Sequence, residues 1–218
     1  AVLADVAKIN ETPSAYHLGF MLGPRINAGG RIGESSLGAK LLTTENPSEA
    51  LTLANRLNDL NQERKDLEAM ALEQAIMQAE DEPKDGPVIV CHDEWHPGII
   101  GIVASRLKER YGRPAMVISF MTGIGKGSGR SVSGFALGSA IIAAKQAGII
   151  TEGGGHDMAA GLTIEKDQID AFKKFMCKKY PHAAQLSGLT VDAVISSSGL
   201  SPELVKNIEQ IGPYGMGN

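Results

Sequence analysis

The longest regular pattern of apolar positions in the chain begins after Asn46. The repeated positions are spaced three, four and seven apart, which places them on one side of an α-helix: Leu53, Leu57, Leu60, Leu67 and Ala71. Asn46 is a suitable N-cap and Pro47 fits the first helical turn. The pattern continues to about Glu80, so it predicts one helix of roughly 50 Å. A helix of this length is expected to connect two bodies.

Shorter patterns after residue 86 predict a small α/β unit. Apolar runs at 87–91, 114–120 and 160–165 are expected to form strands, and helices are predicted over 98–111, 135–147 and 168–180. The first two strands and the helix between them predict a parallel pair. The acidic, Pro- and Gly-containing stretch 80–87 is expected to link this unit to the long helix. Short amphipathic helices are predicted over 1–20, a strand over 189–195 and a helix from Ser201.

Composition is that of a soluble globular protein of one large or two small domains, with 218 residues of which 43% are hydrophobic and 21% charged. No apolar run approaches the ~18 residues of a membrane span. Cys91 and Cys177 lie far apart, so free thiols in a cytoplasmic protein are expected. The chain begins with Ala1 and its last residues, 213–218, have a loop-like sequence; we expect it to be a piece of a longer protein.

Charge is unevenly distributed along the chain. The net charge is −4, yet positions 96–146 contain seven Lys or Arg and one acid, Glu109. A basic middle in an acidic protein indicates a confined anion site. The alternative is a solvated helix face that carries the bases at 106, 108, 110 and 113.

Two glycine-rich segments supply the candidate chemistry. In 123–131 four glycines alternate with other residues, including Lys126, Ser128 and Arg130, and Ser131 follows. Backbone amides, cations and hydroxyls together suit a phosphate. The segment 153–161 places His156 after three glycines. We predict two loops that share a groove for a phosphorylated ligand; the alternative is that the glycines serve tight turns and close sheet packing.

The segment 22–32 contains a further pair of basic side chains. Arg25 and Arg31 are separated by Asn27 and small residues, and a guanidinium can donate two parallel hydrogen bonds to a phosphate. The alternative is that both arginines cap neighbouring helices or pair with acids downstream.

Other chemistries are less well supported. Residues 91–96 include Cys, His, Asp and Glu, but their spacing is poor for a metal site and they run into Pro97 and Gly98. Ser128 and His156 could be paired for nucleophilic catalysis, but no orienting acid is evident beyond Asp157. Metal-assisted phosphodiester hydrolysis needs several clustered carboxylates. None is visible, so we expect no metal site and no hydrolysis by this chain alone.

Four motifs in order resemble the RecJ family, the single-strand-specific 5′→3′ DNA exonucleases of the DHH phosphoesterase superfamily. They are GPRINAGGR at 23–31, WHPGIIGIVASRL at 95–107, GSGRS at 127–131 and GGHDMAAG at 154–161. PYGMGN at 213–218 resembles a motif of the family's OB-fold domain. The resemblance implies an α/β architecture in four parts. These are the end of a catalytic DHH domain (1–45), a long connecting helix (46–82), a DHH-associated substrate-binding domain (83–185) and the truncated start of an OB-fold (186–218).

The resemblance also implies an activity. It is hydrolysis of single-stranded DNA with a 5′ phosphate, dependent on Mn²⁺ or Mg²⁺, in DNA repair and recombination. The family's Asp-His-His motif is absent from this sequence, so the metal ligands would lie outside the chain. Implied partners are a single-strand-binding protein and a helicase; a cytoplasmic monomer with no membrane contact is expected.

On these residues the resemblance places the substrate-holding half of the site. Lys126, Ser128, Arg130 and Ser131, with Gly154 and Gly155, would contact the DNA backbone and its 5′ phosphate. Arg25, Asn27, Arg31 and His156 would face the cleft. Two alternatives stay open: a non-catalytic nucleic-acid-binding module, and a sibling DHH phosphodiesterase acting on short oligonucleotides or cyclic dinucleotides.

Overall fold

The structure is a computed structural model that describes residues 2–180 and 191–214. The helices of this part are α1 (Val2–Val6), α2 (Gly23–Ile32), α3 (Leu37–Thr43), α4 (Pro47–Glu80), α5 (Ile100–Tyr111), α6 (Leu137–Gln146), α7 (Ile169–Lys179) and α8 (Pro202–Glu209). The strands are β1 (Val88–His92), β2 (Ala115–Ser119), β3 (Gly125–Arg130), β4 (Glu152–His156) and β5 (Ala159–Ile164). A π-helical turn, His17–Leu22, precedes α2. No described helix is long and apolar enough to cross a membrane.

Helix α4 confirms the prediction from the apolar stripe. The Asn46 side chain accepts hydrogen bonds from the backbone N–H groups of Ser48 (3.0 Å) and Glu49 (3.3 Å), which caps the helix. The first half of α4 packs against α2, where Gly29 and Gly33 leave room for the side chains of Leu57 and Leu60. The second half buries three alanines, Ala71, Ala75 and Ala79, in a core shared with β1 and α5. Helix α4 therefore packs against α2 with its first half and against β1 and α5 with its second half.

The sheet has the order β1-β2-β3-β5-β4. β1 and β2 are parallel, as predicted, and the remaining neighbours are antiparallel. Apolar side chains cover it from both sides. One core joins the sheet to α6 and α7 through residues such as Met116, Leu137 and Phe172. The other joins it to α4 and α5 through residues such as Val117 and Leu107.

The first glycine-rich segment contains β3, and the second runs through β4 and a turn at 157–158 into β5, so the prediction of two loops was wrong. β3 is the central strand and β4 is an edge strand. Glycine is disfavoured in strands, but here the glycines are required by neighbouring side chains. A Cβ at Gly127 would lie 2.6 Å from the side chain of Leu162, and one at Gly129 would lie 2.8 Å from that of Leu137. Packing across the sheet thus overrides local propensity.

The C-terminal part agrees with the predictions only in its helix. Ser201 caps α8, because its hydroxyl accepts from the N–H of Leu204 at 3.2 Å. Residues 191–195 have no strand structure, so the strand predicted over 189–195 is not found in its described portion. A strand needs a neighbour to complete its backbone hydrogen bonds, and none of the five described strands extends beside it. Residues 186–190 and 215–218 of the predicted OB-fold lie outside the described part.

Candidate nucleic-acid interface

The site is built on the alternation of β3. Successive side chains of a strand point to opposite faces. Gly125, Gly127 and Gly129 face the core beneath α6 and α7, where added methyl groups would collide with neighbours. The intervening residues, Lys126, Ser128 and Arg130, therefore face the other side of the sheet. The glycines leave room for the core, and this places three polar side chains in a row on the opposite face.

The strand register extends this row across β5 to β4. Arg130 pairs with Ala159, which pairs with His156. Directly paired residues lie on the same face, and neighbouring strands are about 4.8 Å apart. His156 therefore lies on the same face as Arg130, with one residue of β5, Ala159, between them. In the next row, Ser128 pairs with Gly161, which pairs with Gly154.

Over β5 and β4 this face is open. His156 and Gly161 are exposed, and a Cβ added at Gly154 would meet no described atom within 4 Å. Gly155 lies on the opposite face: its Cβ would overlap the carbonyl oxygen of Ala159, and Gly138 of α6 packs closely against its backbone. The structure thus separates two glycines that the sequence analysis treated alike. An added Cβ at Gly154 has free space above the floor, whereas Gly155, although its own atoms are exposed, leaves no room for one.

Ser128 and Arg130 lie where the open face meets α5. A Cβ at Gly101 would be 3.1 Å from the Ser128 hydroxyl and 3.2 Å from Nη2 of Arg130. The Arg130 Nη1 donates to Ser128 Oγ (3.2 Å) and to the carbonyl of Gly129 (2.8 Å). Within residues 2–180 and 191–214, no carboxylate lies at ion-pair distance from Arg130. A guanidinium held beside a hydroxyl and lacking a carboxylate is suited to an anionic ligand.

The flanking residues of the row differ in their exposure. Lys126 is exposed and donates to the hydroxyl of Thr163 at 3.1 Å. Ser131 is only 1% exposed, and its hydroxyl donates to the carbonyl of Phe135 at 2.7 Å. This position argues against direct ligand contact by Ser131, because its hydroxyl is already used to fix the turn after β3.

The two arginines of α2 also have different environments. Arg25 donates through Nε to the amide oxygen of Asn58 (3.0 Å) and through Nη1 to the carbonyl of Met21 (2.7 Å). Burial lowers the pKa of its guanidinium. The first bond links α2 to α4 and the second links α2 to the π-helical turn before it, so Arg25 neither pairs with an acid in the described chain nor is free of partners. Arg31 is exposed and donates to the carbonyl of Gly98 at 3.1 Å, which links α2 to the start of α5.

Asn27 and Arg31 line a cleft of about 530 Å³ between α2, α4 and α5. Its other walls include Arg64, Lys65, Glu68 and Arg106, none of which was a candidate site residue. One signal was available in the sequence. Arg64 falls four residues after Leu60 and three before Leu67, so a charged residue occupies a position of the apolar stripe.

The segment 91–96 does not gather metal ligands. Nδ1 of His92 accepts from the N–H of Glu94, and Nδ1 of His96 accepts from that of Gly98. The His92 ring stacks on Trp95 with 5.4 Å between centroids. In the part of the chain that the structure describes, no three His, Cys, Asp or Glu side chains are grouped to hold a metal ion.

The chain resembles known proteins over most of its length. Residues 85–180 match the DHHA1 domain. The single-stranded-DNA-specific exonuclease RecJ of Escherichia coli is 37% identical over 217 residues, which cover 93% of this chain and 37% of that protein. RecJ of Thermus thermophilus is 32% identical over 96% of the chain. The chain is homologous to part of RecJ.

Solved structures of RecJ agree with this relationship. The crystal structure of Thermus thermophilus RecJ in complex with Mg²⁺ superposes with a TM-score of 0.84 at 30% identity, covering 99% of this chain and 34% of that one. The complex of the same protein with Mn²⁺ gives a TM-score of 0.85. The mixed α/β architecture expected from the RecJ resemblance is therefore confirmed. The chain spans a little over a third of the length of the E. coli RecJ it matches.

Proposed function

We propose that this chain is the part of a single-stranded-DNA-specific 5′→3′ exonuclease that holds the DNA backbone near its 5′ end. The observation that carries the proposal is the open face of β3, β5 and β4. It presents a guanidinium without a carboxylate partner in the described chain, a hydroxyl and, at Gly161 and Gly154, a row of the floor without side chains. Homology with RecJ supplies the substrate class.

In this proposal each residue has a distinct part. Arg130 and Ser128 hold the 5′ phosphate by charge-assisted hydrogen bonds, and Lys126 adds positive charge to the backbone path. The bare floor at Gly154 lets the sugar–phosphate backbone lie close to the sheet, with His156 at its edge. Arg31 and Asn27, on α2, face the bound DNA strand. Arg25, Ser131 and Gly155 support the site by packing and hydrogen bonding.

Hydrolysis is assigned to the complete protein and not to these residues. RecJ has been crystallised with Mg²⁺ and with Mn²⁺, so metal dependence is the expected chemistry. The described residues do not fit such a metal, because they offer no group of three suitable ligands. In this proposal these residues bind and orient the DNA strand and take no part in the hydrolytic step.

The wider organisation is part of the same proposal. Residues 1–45 would end the catalytic DHH domain, 46–82 would connect it to a substrate-binding domain over 83–185, and 186–218 would begin an OB-fold. A role in DNA repair and recombination, a cytoplasmic location, a monomeric state and contacts with a single-strand-binding protein and a helicase follow from the homology as expectations.

The phosphate site is tested with two single-stranded DNAs of the same sequence, one with a 5′ phosphate and one with a 5′ hydroxyl. A charge-assisted hydrogen bond contributes roughly 1.5–3 kcal/mol, or about ten- to a hundredfold in affinity. Arg130→Ala should weaken binding to the 5′-phosphorylated strand by that factor and barely change binding to the 5′-hydroxyl strand. Lys126→Ala should weaken both strands similarly, and Arg56→Ala, on an exposed part of α4, serves as the control. Equal losses on both strands for Arg130→Ala would reduce it to a general backbone contact.

A further inference from the structure

The cleft between α2, α4 and α5 carries more positive charge than its own carboxylate can neutralise. Arg31, Arg64, Lys65 and Arg106 line it, and Glu68 is the acidic side chain among its lining residues. This contrasts with the whole chain, whose net charge is −4. A cleft with an excess of one charge raises the local concentration of ligands of the opposite charge.

The ion pairs in the cleft show why the charge is unbalanced. The Arg64 side chain is 10% exposed and donates through Nη1 to Glu68 at 2.5 Å. Glu68 also lies 3.7 Å from Nε of Arg106, whose Nη1 lies 3.4 Å from Glu109, a residue outside the cleft lining. The four cations of the cleft therefore have two carboxylates of the described chain at ion-pair distance, and an excess of positive charge remains. Nε of Arg64 has no hydrogen-bond partner among the described residues. In the same part of the chain, Lys65 has no carboxylate at ion-pair distance.

An aromatic side chain completes the cleft. Phe20 lines it and is 66% exposed, and its ring stacks on that of Tyr16 at 5.1 Å between centroids. Proteins that bind single strands combine a positively charged groove with aromatic rings on which bases stack. The same two features meet here.

The cleft is adjacent to the open face of the sheet, on the other side of the start of α5. Gly101 contacts Ser128 and Arg130, whereas Ile102 and Arg106 line the cleft. A single strand of DNA bound over β3 would need to cross only the first turn of α5 to enter the cleft.

We propose that this cleft is a second contact for the same single strand and takes one nucleotide. Its phosphodiester lies against Arg106 and Lys65, and its base stacks on Phe20. The volume of about 530 Å³ falls within the roughly 300–1,000 Å³ of sites for small ligands. This inference rests on the proposed function, because it concerns the same substrate.

The test compares 5′-phosphorylated oligothymidine with a strand of the same length and end that has no bases, both titrated against the chain at one salt concentration. The double variant Lys65→Gln/Arg106→Gln should weaken binding to both strands about tenfold and make the salt dependence shallower. Phe20→Leu should weaken oligothymidine binding about tenfold, since stacking contributes roughly 1–3 kcal/mol per base. It should leave binding to the strand without bases unchanged.

The controls are Arg56→Gln, an exposed cation of α4 outside the cleft, and Leu42→Ala, an exposed apolar residue of α3. Neither should change binding. Phe20, Lys65 and Arg106 are exposed, so their variants should keep the unfolding temperature of the parent chain. Unchanged affinity in the cleft variants, or equal losses in the controls, would overturn this inference while leaving an Arg130-dependent site in place. Failure of the parent chain to bind either strand would overturn the proposed function and this inference together.

Discussion

Gly154 and Gly155 are adjacent in the sequence but have opposite environments. A methyl group at Gly154 would enter open space above the sheet, whereas one at Gly155 would overlap the backbone of Ala159 and crowd Ala160. The open space at Gly154 is the place where we propose that the DNA backbone lies. The two positions therefore separate the contribution of a glycine to binding from its contribution to packing.

We predict that Gly154→Ala retains the stability of the parent chain and weakens binding of 5′-phosphorylated single-stranded DNA at least about fivefold, because the methyl group occupies the floor. Gly155→Ala should lower the free energy of unfolding by about 2 kcal/mol or more, as overpacked sites do. Chemical denaturation and DNA titration of both variants measure the two effects. A Gly154→Ala variant that binds DNA as the parent does would remove this glycine from the site.

At the scale of elements, α4 completes the edge of the sheet. The Gln78 side chain donates to the carbonyl of Cys91 at 3.0 Å and accepts from its N–H at 3.1 Å, as a neighbouring strand would. One turn earlier, Gln74 accepts from the indole N–H of Trp95 at 2.7 Å. Two amides on one face of the helix thus hold β1 and the segment that follows it.

We predict that Gln78→Ala lowers the free energy of unfolding by about 1–3 kcal/mol, because it leaves a partly buried backbone donor and acceptor without partners. Gln62→Ala, on an exposed part of the same helix, should have an effect within about 0.5 kcal/mol. Urea denaturation of both variants measures the difference. Equal stabilities would show that water replaces the amide without penalty.

The helices were predictable because their signals are local. The stripe of α4, its Asn46 cap and the Ser201 cap of α8 each depend on residues within a few positions. The strands β3 and β4 were not predictable, because their glycines are required by close contacts with Leu162, Leu137 and α6, which are distant in sequence. The polar members of the candidate site could be chosen from composition. That Lys126, Ser128, Arg130 and His156 share one face of the sheet required the strand register.

At the scale of the whole molecule, our proposal assigns DNA binding to this chain and hydrolysis to the complete protein. The open face and the cleft are both formed within the described chain, whereas the ligands of a metal are not found among its described residues. The chain also covers only 37% of the E. coli protein that it resembles. We therefore propose that the described residues position a DNA strand.

We predict that the chain, incubated with 5′-phosphorylated single-stranded DNA and Mn²⁺, binds the DNA and releases no nucleotides. Electrophoresis of the labelled strand would follow cleavage, and a titration of the same sample would follow binding. Metal-dependent release that disappears when residues of this chain are substituted would contradict the prediction.

The alternation of β3 also limits which insertions and deletions the chain can accept. Because side chains change face at every residue, inserting one residue within 125–130 would turn the following cation and hydroxyl toward the core and the glycines outward. The loop at 120–124 has no alternation of faces, so residues added there would leave each side chain of β3 on its present face. Variation in length should therefore accumulate in the loop, whereas within the strand a single-residue insertion or deletion would disrupt the site and the core together.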